Sequence, residues 1–421
     1  MNLLIKNGRV IDPGNGIDKI ADILIKNGKI AQIGRNLKAR GRTLQAEGML
    51  VVPGLIDIHT HLREPGREDE ETILSGSKAA LAGGFTTICV MPNTNPCTDN
   101  KTVVRFIYDR AKQANLCNIL PIAAITKKRK GEELTEFGEL IEAGAVGFSD
   151  DGNSISDSRI MRRALEYSKI FAQPLILHCE DTELSAGGVV NEGYLSANLG
   201  LPGIPKQAEE IIVGRDLMLA ELTGAKIHLA HVSTAGSVEL VKTAKKKGIK
   251  VTCETCPQYF MLTENAVKDF DTNNKVNPPL REEKDNQAIR KGLFDETIDV
   301  IASDHAPHSA EEKEKDFLAA PFGMIGLETT LPLSLALVDR RFSLSKVIAK
   351  LTINPAKILG IDKGTLGIGR GADITIIDTK AEWILKTENL KSKSKNTPFL
   401  GRKLKGKALY TIVRGKVFHN L

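Results

Sequence analysis

Gly54-Leu55-Ile56-Asp57-Ile58-His59-Thr60-His61-Leu62 is a short apolar run that closes on two histidines. Its length suits a buried strand rather than a helix. Runs of the same kind recur at residues 85–91, 118–125, 145–150, 174–179, 226–232, 250–253 and 299–303. Amphipathic stretches lie between them, among them 102–113, 158–170, 208–223 and 237–247. Eight such strand–helix units predict an α/β fold, a TIM-like (β/α)8 barrel before an open doubly wound sheet, which is the alternative. Two connections, 180–207 and 306–322, are long enough to be lids or to carry small helices of their own, and within the second the polar stretch 311–316 is expected to need no core contact.

Both chain ends read as β. Residues 3–8 and 23–28 are near copies, each an apolar run closed by Asn-Gly, a strong turn signal. Residues 372–378 and 410–417 are apolar or alternating strands. Neither end is long enough for a sandwich of its own. The expected organisation is therefore a composite β-sandwich domain from 1–52 and 362–421, around a hydrolase domain spanning 53–361.

Of the eight histidines, six fall at the ends of predicted strands or just beyond, and His228 and His419 lie off this pattern. His59 and His61 end the first strand, His178 the fifth and His231 the sixth, while His305 and His308 follow the eighth beside Asp304. Asp150 and Asp151 end the fourth. In a barrel those ends form one face, the face that carries active sites. A lone His-x-His is a weak signal, but five ligand-bearing strand ends on one face make a metal site. His59 and His61, two residues apart, leave the same side of a strand. The inferred ligand set is His59, His61, Asp151, His178, His231 and Asp304, donors that suit zinc or a similar divalent ion. Six ligands exceed one tetrahedral ion, so one or two metals are held, two if a carboxylate bridges.

No serine or cysteine nucleophile with a paired base is evident. The attacking group is therefore expected to be hydroxide on the metal, with Asp304 as the carboxylate that takes its proton and hands it to a leaving nitrogen.

Composition agrees with a globular enzyme. Hydrophobic residues make up 41% and charged residues 26%, a balance that excludes a disordered or fibrous chain. The net charge of +6 is too small over 421 residues to argue for nucleic acid. Residues 1–10 have no apolar core of a signal peptide, and no stretch approaches the roughly 18 apolar residues a membrane helix needs. Six cysteines are too few for a disulfide scaffold, so free thiols and a cytoplasmic location are expected.

The run from Val52 through Arg63-Glu64-Pro65-Gly66 resembles the first-strand signature of cyclic amidohydrolases, and its ending is similar to dihydroorotases in particular. Met91-Pro92-Asn93-Thr94, Asp150-Asp151-Gly152 and Ser303-Asp304-His305-Ala306-Pro307-His308 strengthen that likeness, which runs over essentially the whole chain. The resemblance implies reversible ring opening of (S)-dihydroorotate to N-carbamoyl-L-aspartate in pyrimidine synthesis. It implies zinc on the six ligands above and Asp304 as general acid/base. It implies substrate contacts from His61, Arg63, Asn93, Asn277 and His308, with backbone groups of Phe322 and Gly323 holding the ring. It also implies a homodimer or an assembly with aspartate transcarbamoylase, and neither nucleic acid nor membrane as partner.

Chemistry supports those roles. Arg63 offers a planar fork for a carboxylate, and Asn93 and His308 can add hydrogen bonds. Asn277, ahead of Pro278-Pro279, can read an amide edge, unless it merely caps its turn. The lesser alternative for Arg63 is a surface ion pair. Many cyclic amidohydrolases bridge two metals with a carboxylated lysine after the fourth strand. Here Gly147-Phe148-Ser149-Asp150-Asp151-Gly152 has none, which argues against a hydantoinase or allantoinase and resembles the bacterial dihydroorotases that use an aspartate. Cys256-Pro257-Gln258-Tyr259-Phe260 lacks the His-His pair the family often carries. A catalytically silent partner of the transcarbamoylase is the rival from another class, and it should lack metal ligands.

Other signals are discounted. Cys253 and Cys256 lack a second Cys-x-x-Cys and fall on an expected strand. Gly364, Gly367, Gly369 and Gly371 precede a strand instead of a helix, so they are turn residues. Lys127-Lys128-Arg129-Lys130 reads as a solvated loop, and residues 391–395 as an exposed linker.

Overall fold

The computed structural model describes residues 2–420. Its centre is a path of parallel pairings. Leu55–Thr60 pairs with Phe85–Val90, and that strand with Asn118–Pro121. Ala123 bridges to Phe148, which bridges on to Leu175. Leu175–Leu177 pairs with Ile227–Leu229, that strand with Val251–Thr255, and that one with Val300–Ile301. Thr60 bridges to His305, and the His61 amide donates to the His305 carbonyl at 2.8 Å, so the path returns to its first strand. Every segment overlaps a predicted run. The fourth is the weakest, reduced to bridges through Phe148.

Strand residues alternate between two apolar clusters. Leu175 and Leu177 pack with helix residues such as Val104, Leu165 and Val213, whereas Ile176 joins Ile56, Ile58, Cys89, Ile122, Ala230 and Val300. Burial on both faces is what parallel strands require, and it explains why these runs are apolar throughout. The helices start on ordinary caps. Asn100 accepts from the Thr102 and Val103 amides ahead of Lys101–Ala114, and Thr234 accepts from Ser237 ahead of Ala235–Lys246.

The two chain ends join in one eight-stranded sheet, in the order Lys416–His419, Lys403–Val413, Ile374–Ile384, Leu50–Pro53, Asn2–Asp12, Ile17–Lys26, Lys29–Gly34, with Arg42–Gln45 also beside Asn2–Asp12. The seam is Ile374–Ile377 against Leu50–Pro53. Its strands share one core that includes Ile5, Val10, Ile23, Val51, Ile374 and Ile412.

The two Asn-Gly copies part company. Asn27-Gly28 makes the expected hairpin, with Lys26 opposite Lys29. Asn7-Gly8 does not turn the chain. It sits inside the first strand as an irregularity of register between Ile5 and Gly8. Asn7 donates its amide to Asp22 at 2.9 Å, and a Cβ on Gly8 would meet Val51 at 2.4 Å. The close approach of Val51, distant in sequence, makes this glycine a bulge residue.

Two further expectations change. Residues 391–395 are no exposed linker: Ser392 and Ser394 are buried, and both bond to the Glu70-Glu71 segment. The polar stretch 311–316 does need core contact. Lys313 is buried and donates to the carbonyls of Thr272 and Pro321 at 2.9 and 2.8 Å, because a buried amine must find acceptors. The cysteines are free and mostly buried, as expected. No helix is long and apolar enough to cross a membrane among the described residues.

Candidate metal centre

The strand ends bring all six predicted ligands together. Asp151 lies at the middle. Its Oδ1 is 3.3 Å from His59 Nε2, 3.4 Å from His231 Nε2 and 3.8 Å from His178 Nδ1, and its Oδ2 is 3.5 Å from His61 Nε2. Two groups able to hold a cation result, His59–His61–Asp151 and Asp151–His178–His231, with Asp151 common to both. Asp304 closes the first side, its Oδ1 3.2 Å from His61 Nε2 and 3.6 Å from His59 Nε2. His231 and Asp304 hold left-handed backbone, at φ 33° and 46°, a strain tolerated where a side chain must be aimed.

The donor set fits a divalent ion. His59 Nδ1 sits 2.6 Å from Glu254 and His61 Nδ1 sits 2.8 Å from Asn93 Oδ1, so both rings turn Nε2 toward carboxylates. His59 Nε2 is buried with no hydrogen bond. A ring nitrogen 3.3 and 3.6 Å from two carboxylates calls for a positive charge there, a proton or a metal ion. Burial alone would lower the pKa of His59, but the charges of Asp151 and Glu254 overcome it and raise it well above the ordinary value. Burial prevails at His61 and lowers its pKa. Asp151 and Asp304 are held below the carboxylate range despite burial, Asp151 chiefly by the charge of His59 and Asp304 by its bond from His61. Ionised carboxylates and an imidazole that prefers to be neutral are ready ligands.

The other predicted residues gather at the rim. Arg63 Nε lies 3.0 Å from Glu70 and 3.1 Å from the Pro307 carbonyl, and Nη2 3.3 Å from His308 Nε2. The ion pair weighed for Arg63 exists, though mostly buried and with part of the fork uncommitted. His308 Nδ1 meets Glu70 at 2.7 Å, and Nε2 meets the Phe322 carbonyl at 2.8 Å. Gly323 donates its amide to Lys275 and has φ 137°, where a Cβ would stand 2.9 Å from Ala306. Asn277 donates to Glu180 at 2.9 Å, and Glu180 reaches His178 at 2.9 Å. Beside them opens a cavity of about 410 Å³ lined by Glu180, Val189, Lys275, Asn277, Leu318 and Phe322.

Known proteins decide the family. The chain is 52% identical over 422 residues to the dihydroorotase of Geotalea daltonii, covering 100% of this chain and 99% of that one. It is 53% identical over 418 residues to the dihydroorotase of Acetivibrio thermocellus, covering 99% and 98%. The chain belongs to the dihydroorotase family. The Dihydro-orotase-like family model matches residues 48–237, and the Amidohydrolase family model residues 319–419. Among solved structures, the L-hydantoinase (dihydropyrimidinase) of Arthrobacter aurescens superposes with a TM-score of 0.87 at 29% identity, covering 99% of this chain and 95% of that one.

For a dihydroorotase family member, one group in the centre escaped sequence reading. Glu254, fully buried, holds His59 with one oxygen and approaches His228 Nε2 at 3.3 Å with the other, while His228 Nδ1 meets Thr252 at 2.8 Å. Burial would raise Glu254, yet the charge of His59 and the bonds from His228 and His59 bring it down to about 2. His228 had seemed off pattern. The signal was a lone Glu in an apolar strand, two residues before the Cys-Pro break, and nothing local links it to His59.

Proposed function

We propose that this protein is a dihydroorotase that opens and closes the ring of (S)-dihydroorotate, interconverting it with N-carbamoyl-L-aspartate, in the cytoplasm and in pyrimidine synthesis. The observation that carries the reading is the pair of ligand groups sharing Asp151 in a chain about half identical, end to end, to proteins named dihydroorotase.

The architecture supporting it is read as a closed (β/α)8 barrel over 53–361, with a small β-sandwich from 1–52 and 362–421. The assigned ligands are His59, His61, Asp151, His178, His231 and Asp304, which would hold one or two zinc ions, Asp151 being common to both candidate groups. When bound, such ions polarise a carbonyl and bring the pKa of water to about 7. Asp304 faces the same space as His61 and, ionised, can accept a proton from water and return it to the departing ureido nitrogen. Arg63, through its uncommitted Nη1, and His308 take the substrate carboxylate, with Asn93 beside them. Asn277 and the backbone at Phe322 and Gly323 read the ring. A homodimer or an assembly with aspartate transcarbamoylase belongs to the same proposal.

The test is an assay of purified protein with dihydroorotate and with N-carbamoyl-L-aspartate, alongside hydantoin and allantoin, with metal analysis of the same sample. Turnover of the first two alone, lost on chelation, supports the reading. Preference for the neutral ureides, or full rate in metal-stripped protein, overturns it.

A further inference from the structure

The segment between Ile374–Ile384 and Lys403–Val413 leaves the terminal sheet and returns to it by way of the metal centre's rim. Along it, Ser392 and the Lys393 amide bond to Glu71, and Ser394 donates to the Glu70 carbonyl at 2.6 Å. Glu70 is the carboxylate that holds both Arg63 and His308. The segment ends on Asn396, whose side chain is fully used. Its Nδ2 donates to the Ala306 carbonyl at 3.0 Å and the Gly323 carbonyl at 3.1 Å, and its Oδ1 accepts from the His308 amide at 3.2 Å. Its own carbonyl accepts from the Ile325 amide at 2.9 Å.

We infer that Asn396 is a positioning residue for substrate binding, a clamp from the terminal sheet that sets the spacing between His308 and Gly323 across the mouth of the site. The inference rests on the dihydroorotase reading given above. Ala306, His308 and Gly323 lie at the two ends of a 306–323 loop, which the Ala306 amide and Met324 carbonyl join at 2.8 Å and His308 Nε2 and the Phe322 carbonyl at 2.8 Å, and Asn396 adds three side-chain bonds that span the same two ends. Asparagine is suited to this, since one short planar group offers a carbonyl acceptor and two N–H donors. Aspartate keeps the shape and the acceptor but turns a carboxylate oxygen onto two carbonyls. Alanine removes all three bonds. Asn396 lies in the rim network and is not in the metal group, so its loss should act on substrate binding and spare the ions. Glu70 and Asn396 thus hold His308 from its ring and from its backbone.

The experiment is steady-state kinetics of the wild type, Asn396→Asp and Asn396→Ala, with bound metal and unfolding midpoint measured on each. The expected result is a KM for dihydroorotate raised about tenfold or more in both variants, with kcat far less changed and metal content at the wild-type value. An unchanged KM with a lower unfolding midpoint would reveal a merely structural residue and overturn the inference, as would lost metal. The near-isosteric aspartate variant carries the test if the alanine variant does not fold. Hydrogen exchange on the wild type needs no variant: the His308 amide should be protected, and exchange there at the open-loop rate overturns the clamp. A wild type inactive on dihydroorotate defeats the functional reading itself, whereas an active wild type whose KM survives Asn396→Asp defeats this inference alone.

Discussion

Glu254 and His59 meet at 2.6 Å with both side chains wholly buried. The carboxylate binds the outer nitrogen of the ring and so dedicates the inner one to the space shared with Asp151 and Asp304. A carboxylate behind a ligating histidine fixes the tautomer and increases the basicity of the metal-facing nitrogen. Glu254→Gln keeps the shape and removes the charge. It should weaken metal binding by about 10–100-fold, read by competition with a chromophoric chelator. Wild-type affinity in that variant would make Glu254 a packing residue.

Metal uptake should depend steeply on pH. In the metal-free protein the pKa of His59 lies well above its usual value, so at neutral pH the ring carries a proton that an incoming ion must displace. The sign follows: lowering the pH strengthens the competing proton and weakens binding. Affinity should climb about tenfold per pH unit below the pKa of His59 and level off above it. Calorimetric titration in buffers of different ionisation enthalpy would register the released proton. A flat profile from pH 6 to about 8 would contradict the assignment.

Asp304→Asn separates holding the metal from moving the proton. The amide oxygen can still face His61, but it cannot shuttle a proton at neutral pH. Turnover in both directions should fall by about 10²–10⁴-fold while most of the metal remains bound. Equal loss of metal and activity would reduce Asp304 to a ligand.

Phe148 is where the parallel path is thinnest. It carries bridges to both Ala123 and Leu175, is fully buried, and stacks on Phe137 at 4.0 Å between ring centroids. Phe148→Ala should cost about 3–5 kcal/mol in a denaturant titration. Because Asp151 follows three residues on, metal affinity should fall with it. A loss below about 1 kcal/mol would mean that the neighbouring strands close up without it.

Much of this protein could be read one residue at a time. The parallel segments, the helices between them and the six candidate ligands rest on local patterns: apolar runs of strand length, and ligand-type residues where those runs stop. Burial on both faces writes a parallel strand into the sequence, and a ligand at its end stands out against that background. What joins distant parts left no such mark. Asn7-Gly8 and Asn27-Gly28 have the same local chemistry, and Val51 pressing on Gly8 makes one a bulge and the other a turn. Residues 391–395 look like solvated chain because lysine alternates with serine, and Lys391 and Lys393 are indeed exposed, while the serines between the lysines are spent on Glu70 and Glu71. Glu254 became a partner of His59 only when the path returned to its first strand and brought two residues 195 apart in sequence within reach, with the Val300–Ile301 strand between theirs. Local pattern determines which elements form, because backbone hydrogen bonding and burial act over a few residues. Only tertiary packing decides which polar groups find each other, because a buried charge must be matched by whatever neighbour the fold supplies.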